Sequence, residues 1–316
     1  MTAPLRIGVI GTGNFAQLHL EAYARQDGVT VVAVADLDPS RAETVAAKWG
    51  IEQWFGDAGE LITACSPDGV SVITPGSQHR EPTLAALAAG CGVLLEKPVA
   101  TTSVDVAAIE AAAQISSGFV MPGHILRFAT PHAQLHTRVR EGALGQVLGI
   151  ATVRDRCRDH EQLFPDLHPA LMTTIHDIDL SLWISGSRAV RVSAHQRGGR
   201  AGGPPLLVWA QVEAADGGVW SLRESWLLPD GTPTADRLDV YGTLGVAGLD
   251  LTGAGDATVD AIDAEIAHFC ACLRTGAEPS VTLADAAHGV LIAEAIIASA
   301  AAGGAAVDIP SIDRAA

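Results

Sequence analysis

Ile7-Gly8-Val9-Ile10-Gly11-Thr12-Gly13-Asn14-Phe15-Ala16 is the stretch whose reading decides the fold. A short apolar run, the signature of a buried strand, passes directly into Gly-x-Gly-x-x-Ala and then into a helix-like pattern. Each small residue answers a physical need. Gly11 permits a tight turn, Gly13 lets the backbone approach a pyrophosphate, and Ala16 keeps the helix close to the sheet. The helix begins at Asn14 and Phe15, where unpaired N–H groups face an anion. Asp36 stands twenty residues beyond Ala16, at the end of the next apolar run, where a carboxylate accepts both hydroxyls of a ribose. A carboxylate there repels a 2′-phosphate, which favours NAD over NADP. Ser40 and Arg41 offer the alternative of receiving that phosphate while Asp36 turns away, so NADP stays possible.

Outward from this motif, apolar runs at 7–10, 29–35, 70–74 and 93–95 alternate with helix-like stretches at 14–26, 39–49, 58–65 and 81–89. A further helix at 103–114 and a strand at 119–122 complete the series. Short continuous apolar runs are what a parallel sheet covered on both faces requires. The alternation predicts a doubly wound α/β domain with right-handed crossovers. From about residue 123 the pattern changes. Helices are expected at 131–141 and 171–184, and longer alternating strands at 147–156, 190–196, 206–215, 219–226 and 237–241. Two helices, 261–274 and 283–302, close the chain. Alternation with one polar face predicts an α/β domain with a large open, mainly antiparallel sheet. The division expected is residues 1–121 and 122–316.

At 316 residues, with 48% apolar side chains, the chain has material for two cores. Its net charge of -16 speaks against nucleic acid and against an anionic membrane surface. Met1-Thr2-Ala3-Pro4-Leu5-Arg6 shows no signal-peptide pattern. No apolar run is expected to approach the 18 or so residues that span a bilayer. Cys65, Cys91, Cys157, Cys270 and Cys272 are odd in number and irregular in spacing, so neither a disulfide framework nor a metal site is expected. The chain reads as cytoplasmic.

Glu96-Lys97-Pro98 follows the run Val93-Leu94-Leu95. Only two residues are lysine, Lys48 and Lys97, against eighteen arginines. Arg keeps its proton near neutrality, whereas a desolvated Lys can give it up. An ammonium at the end of a buried strand can hold a substrate hydroxyl and help move its proton. Glu96 and Lys97 are placed on the cofactor side as well. The loop Pro75-Gly76-Ser77-Gln78-His79 follows another strand at its carboxyl end, where an open α/β sheet takes ligands. Pro75 and His79 either lie along the nicotinamide ribose, or His79 is a helix N-terminal residue with no role.

These residues, with Gly123-His124-Ile125-Leu126-Arg127-Phe128, Ile175-His176-Asp177-Ile178-Asp179 and Glu224-Ser225-Trp226, resemble the glucose-fructose oxidoreductase and inositol dehydrogenase superfamily of the Gfo/Idh/MocA type. The resemblance covers essentially the whole chain. It implies a Rossmann domain and an α/β domain whose open sheet mediates homodimers or homotetramers. It also implies reversible hydride transfer between a nicotinamide and a sugar, polyol or related ketone. Lys97 matches the family's active-site lysine and His176 its catalytic histidine. Arg127, Asp155, Thr173 and Asp179 fall where relatives line the substrate pocket. Met172 departs from the pattern, because polyol dehydrogenases of this family carry Asp there, one helical turn before the histidine. A thioether orients no imidazole. Three readings follow: His176 still works as acid and base beside Lys97; substrate preference has moved toward an apolar wall at Met172; or the chain binds nucleotide for another purpose. A non-catalytic sensor and an NAD-assisted glycosidase are the alternatives on the same fold.

Overall fold

A computed structural model describes residues 3–253 and 258–311. The apolar runs of the first part become strands β1 (Leu5–Ile10), β2 (Val29–Ala35), β3 (Gln53–Phe55), β4 (Gly69–Val72), β5 (Gly92–Glu96) and β6 (Val120–Gly123). They alternate with helices α1 (Asn14–Ala24), α2 (Pro39–Trp49), α3 (Ala58–Cys65), α4 (Arg80–Ala88) and α5 (Ser103–Ile115). Local signals set the ends of these helices. The Asp38 carboxylate accepts from Ser40 N and Arg41 N to start α2, with Pro39 in its first turn, and Gly50 ends it at φ 65°. The six strands pair in parallel in the order β3-β2-β1-β4-β5-β6. All their carboxyl ends therefore lie on one edge. The strand order reverses between β1 and β4, where such a sheet takes its ligands.

The second part contains α6 (Thr130–Arg140), β7 (Val147–Cys157), α7 (His160–Leu163), α8 (Pro169–Met172), α9 (Thr174–Ser185), β8 (Ala189–Arg197), β9 (Leu207–Ala214), β10 (Val219–Leu228), β11 (Ala235–Gly242) and β12 (Gly245–Asp250). The chain continues through α10 (Thr258–Thr275), α11 (Leu283–Ala301) and β13 (Val307–Asp308). Seven strands form one sheet in the order β12-β11-β7-β10-β9-β8-β13. Only the β7–β10 pair is parallel among its described pairings, so the sheet is mainly antiparallel as expected. Alternation along the strands separates two faces. Ile150, Thr152 and Arg154 of β7 and Trp220, Leu222, Glu224 and Trp226 of β10 are buried, and α9 packs on both strands. The other face leaves Trp209, Tyr241 and Val246 exposed by 43% or more.

The structure departs from the sequence reading in four places. Strand β3 is three residues paired at the sheet edge with β2, too short to show a period, and β12 was unforeseen because two glycines interrupt its pattern. The helix expected at 171–184 is two helices, α8 and α9, broken at Thr173 (φ -123°, ψ -45°). Helix α11 is long and apolar enough to cross a bilayer by length and composition, contrary to expectation, yet more than half of its apolar window is buried inside the protein. The compact units are Met1–Ala129 with Ala257–Ala287 and Thr130–Asp256 with His288–Ala316, whereas the division expected at 121/122 lies inside β6. Helix α10 belongs to the first unit because Ile262, Ile266, Phe269 and Cys270 join the cluster of Ile7, Leu20, Tyr23 and Leu94. Truncating Phe269→Ala, a fully buried ring in that cluster, is expected to destabilise the first unit by about 3–5 kcal/mol in urea denaturation.

Candidate active site

The turn after β1 shows why its glycines are there. Gly11 has φ 92°, and a Cβ on it would lie 2.7 Å from the carbonyl carbon of Ile73. At Gly13 a Cβ would meet nothing within 4 Å. Gly13 caps α1 without a side chain, leaving the start of the helix at Asn14 and Phe15 open to an anion. Ala16 is fully buried and closes the helix on the sheet. This is a cradle for a pyrophosphate, and Asp36 stands beside it.

Thr12 donates from its N–H and its hydroxyl to Asp36 Oδ2, at 2.9 and 2.7 Å, and Asp38 N donates to Oδ1 at 2.9 Å. Burial pushes the Asp36 carboxyl up, but these donors and the Arg41 guanidinium outweigh it and hold the group below the usual carboxylate range. An ionised Asp36, fixed but still partly open, suits the two hydroxyls of a ribose. Arg41 lies 3.9 Å from both Asp36 and Asp38, and the amides of Ser40 and Arg41 are already taken by Asp38. The chain's own residues thus fit the adenosine and diphosphate of NAD.

At the end of β4, Pro75 leads into a turn over Gly76–Gln78. His79 is fully buried, and its ring nitrogens lie 2.7 Å from Thr74 O and 2.8 Å from Pro98 O. Burial pulls its pKa down although both carbonyls and Glu96 act in the opposite sense. His79 therefore ties the loop to Pro98 and stands at the N-terminus of α4, the second of the two places that the sequence left open for it.

Lys97 follows β5, joined to Pro98 by a cis peptide, and its side chain is half-buried. The Glu96 carboxylate points elsewhere: Oε1 lies 3.1 Å from His19 Nε2 on α1, and Oε2 accepts from Lys97 N at 3.2 Å. Its expected contact with the cofactor is thus not one that the carboxylate is free to make. Behind it, Ser71 Oγ lies 3.4 Å from His19 Nδ1 and 2.7 Å from the Tyr23 hydroxyl. Glu265 of α10 is fully buried, and neither carboxyl oxygen has a partner. Burial and the nearby Glu96 push its pKa well up. Arg127 is buried, and its guanidinium donates to Asp285 at 3.2 Å.

In the second unit, His168 caps α8 by accepting from Ala170 N at 3.0 Å. Thr173 breaks the helix, and His176, half-buried, lies in the first turn of α9 with its N–H on Thr173 O at 3.1 Å. Met172 and His176 thus belong to two helices and not to one continuous face. Beneath them, Asp177 meets Arg154 in a buried two-point contact of 3.1 and 2.8 Å. Arg154 also reaches Asp236 at 3.2 Å, and Arg156 meets Asp236 at 2.7 and 3.1 Å. Burial pushes the Asp177 carboxyl up while Arg154 pulls it back. His132 is driven down to about 4 by burial and by Arg154, so its imidazole is neutral. Glu224 is driven up to about 8 by burial.

Asp179 is buried on α9, and Thr173 is buried at the break. Asp155, expected in the substrate pocket, sits on the opposite face of the sheet from Arg154. Its carboxylate accepts from Arg223 and from the Ser225 hydroxyl, both at 2.6 Å. Neighbours on a strand point to opposite faces, so one residue of register separates the two roles. Arg154 and Glu265 escaped the sequence reading because burial, not spacing, makes them unusual, and Glu224 entered it only as part of the segment Glu224-Ser225-Trp226. Among the described residues no group of three or more His, Cys, Asp or Glu side chains is placed to hold a metal ion.

Residues 5–124 match an oxidoreductase family with an NAD-binding Rossmann fold, and residues 132–247 match the GFO/IDH/MocA C-terminal domain. D-glucoside 3-dehydrogenase of Escherichia coli is 33% identical over 210 residues, 61% of this chain and 58% of that protein. Inositol 2-dehydrogenase 1 of Saccharopolyspora erythraea is 31% identical over 196 residues, again 61% and 58%. The chain thus matches under two thirds of the length of these relatives. Scyllo-inositol dehydrogenase from Lactobacillus casei, crystallised with NAD(H) and scyllo-inositol, superposes with a TM-score of 0.89 at 18% identity, over 98% of this chain and 100% of that one. At that identity the likeness is one of fold. The glycine turn, Asp36 and both matched segments, which together take in most of the sequence, make this chain a member of the GFO/IDH/MocA oxidoreductase family with an NAD-binding Rossmann domain.

Proposed function

We propose that the chain is an NAD-dependent dehydrogenase acting on a secondary alcohol, or the matching ketone, of a sugar, polyol or related molecule. The observation that carries this reading is the shared edge of the first sheet. The glycine turn after β1, Asp36 after β2 and Lys97 after β5 all stand at carboxyl ends of parallel strands. A residue able to handle a hydroxyl is thereby placed on the edge that takes the dinucleotide.

Bound NAD supplies the hydride acceptor. The remaining work falls to side chains. The Lys97 ammonium, with three donors on a flexible stem, holds and polarises the substrate oxygen. His176 accepts the hydroxyl proton, a role suited to a group that titrates near neutrality. Such acid–base assistance is worth about 10²–10⁴ in rate. Arg127, Thr173 and Asp179 remain the candidates for substrate contacts, and Met172 supplies an apolar wall where a carboxylate is usual for polyols. The relatives named for inositol and D-glucoside support a carbohydrate-like substrate. The exposed Trp209, Tyr241 and Val246 support an open sheet face covered by a second copy of the chain, in a cytoplasmic homodimer or homotetramer.

With NAD and a panel of sugars and polyols, the wild type is expected to form NADH. Lys97→Ala should lower turnover by about 10² or more while NAD affinity stays within a few-fold. Wild-type turnover in that variant would remove the role given to Lys97. NAD is expected to be preferred to NADP by about tenfold or more in kcat/KM, because Asp36 stays ionised where a 2′-phosphate would sit. Met172→Asp is expected to raise oxidation of polyols, measured by initial rates; an unchanged rate would show that the carboxylate is not limiting.

A further inference from the structure

We propose that His19 is a positioning residue: through the Glu96 carboxylate it holds the main-chain N–H of Lys97, and so fixes the point from which the Lys97 ammonium reaches the substrate. This rests on the role given to Lys97 above. His19 is fully buried on α1, with its ring edge-on to Phe15 at 5.5 Å, so it touches no substrate. Its Nε2 lies 3.1 Å from Glu96 Oε1, and Glu96 Oε2 accepts from Lys97 N at 3.2 Å. Among the described residues each oxygen of this carboxylate has that one hydrogen-bond partner. Glu96 is 6% exposed, so water does little to replace a lost donor. Strand β6 makes room for the carboxylate: Gly123 stands opposite Glu96, and a Cβ there would lie 3.0 Å from Oε1.

On its other side the ring meets Ser71 and, beyond it, Tyr23. Ser71 Oγ lies 3.4 Å from His19 Nδ1 and 2.7 Å from the Tyr23 hydroxyl. Tyr23 is 1% exposed, and burial pushes its phenol well above the usual range, so it keeps its hydrogen. Among the described residues Ser71 Oγ is the acceptor within reach of that hydrogen. The Tyr23 hydroxyl therefore donates to Ser71, Ser71 donates to Nδ1, and the ring's own proton is left on Nε2, facing Glu96. In the opposite tautomer a bare Nε2 would face the carboxylate, two acceptors with no proton between them. Each donor in the line thus has an acceptor, and the line ends at the carboxylate. Because it starts at a buried phenol it opens no path for protons to water, and its effect is to hold Glu96 in place. Glu96 in turn fixes the peptide that leads into Lys97, while His79 holds Pro98 O on the far side. Without His19, Oε1 would be buried with no donor, and the carboxyl would turn toward another and release Lys97 N.

The test uses the full chain as His19→Leu, which removes the donor, and as His19→Gln, whose amide can place a donor near the position of Nε2. With NAD and the sugar or polyol that forms NADH, Leu is expected to lower kcat about tenfold, with KM and NAD affinity within about threefold. Gln is expected to bring kcat back to within about threefold of the wild type. A side chain that merely filled space would give the reverse order, because Leu suits an apolar site at least as well as Gln. Wild-type kcat in the Leu variant, or a loss that Gln does not recover, would overturn the proposal. Two readouts do not need turnover. The chain has only two lysines, so NMR with lysine alone labelled resolves the Lys97 amide from that of Lys48, the two told apart by Lys48→Arg. In Leu the Lys97 amide should shift and exchange with solvent about tenfold faster, while Lys48 stays as it was and Gln keeps the wild-type signal. Nitrogen NMR of the wild-type histidine rings, with His19 identified through the Gln variant, should find the proton on Nε2. An unmoved Lys97 amide in Leu, or a bare Nε2, would also overturn it. Should Leu fail to fold, the Nε2 proton and an unshifted Lys97 amide in Gln decide, and the absence of either counts against the role. A wild type that shows these signals yet reduces no NAD would refute the dehydrogenase reading alone.

Discussion

The backbone at the end of β1 has almost no room. Gly11 N donates to Ala35 O on one side, and on the other the Gly11 α-carbon passes so close to Ile73 that a methyl group would collide with main-chain atoms. Everything at the ligand edge depends on that passage. It turns the chain into α1 at Gly13 and sets Thr12 where it holds Asp36. A side chain at residue 11 would push β1 from β4 and separate the strands whose ends carry the site. Steric exclusion, more than any attraction, organises the first unit.

The second unit is organised by charge kept out of water. Arg154, Asp177, Asp236 and Arg156 form a chain of ion pairs beneath α9, with Glu224 among them. Buried pairs of this kind contribute little net stability against an apolar alternative, yet losing one partner strands the other. They tie α9 to β7, and β7 to β11. The turn carrying His176 is thereby held by groups that touch no ligand.

The polar atoms behind Lys97 follow a similar logic. Glu96 anchors the Lys97 N–H with one oxygen and meets His19 with the other, and His79 ties the next residue but one to the β4 loop. The ammonium stands on a backbone braced from two sides.

The Rossmann unit was legible because its signals are local. Gly11, Gly13, Ala16 and Asp36 state steric and electrostatic requirements at short spacing, and apolar runs separated by helices state a parallel sheet. Lys97 was visible through composition and His176 through family resemblance. Residues whose role depends on register were not. Asp155 and Arg154 are neighbours in sequence, and only strand pairing decides which faces α9 and which faces Arg223. Helix α10 reads alike whichever core it joins, and packing against Leu20 and Tyr23 decides it. The ionisation of Glu224 and Glu265 was invisible because burial moves a carboxyl, and burial exists only after distant segments have met. By itself the sequence determined the strand–helix alternation, the phosphate turn and the ribose acid, since those follow from the chemistry of adjacent residues. The tertiary structure decided which polar side chains lie in the dark and with whom, since desolvation and long-range pairing are properties of the folded chain.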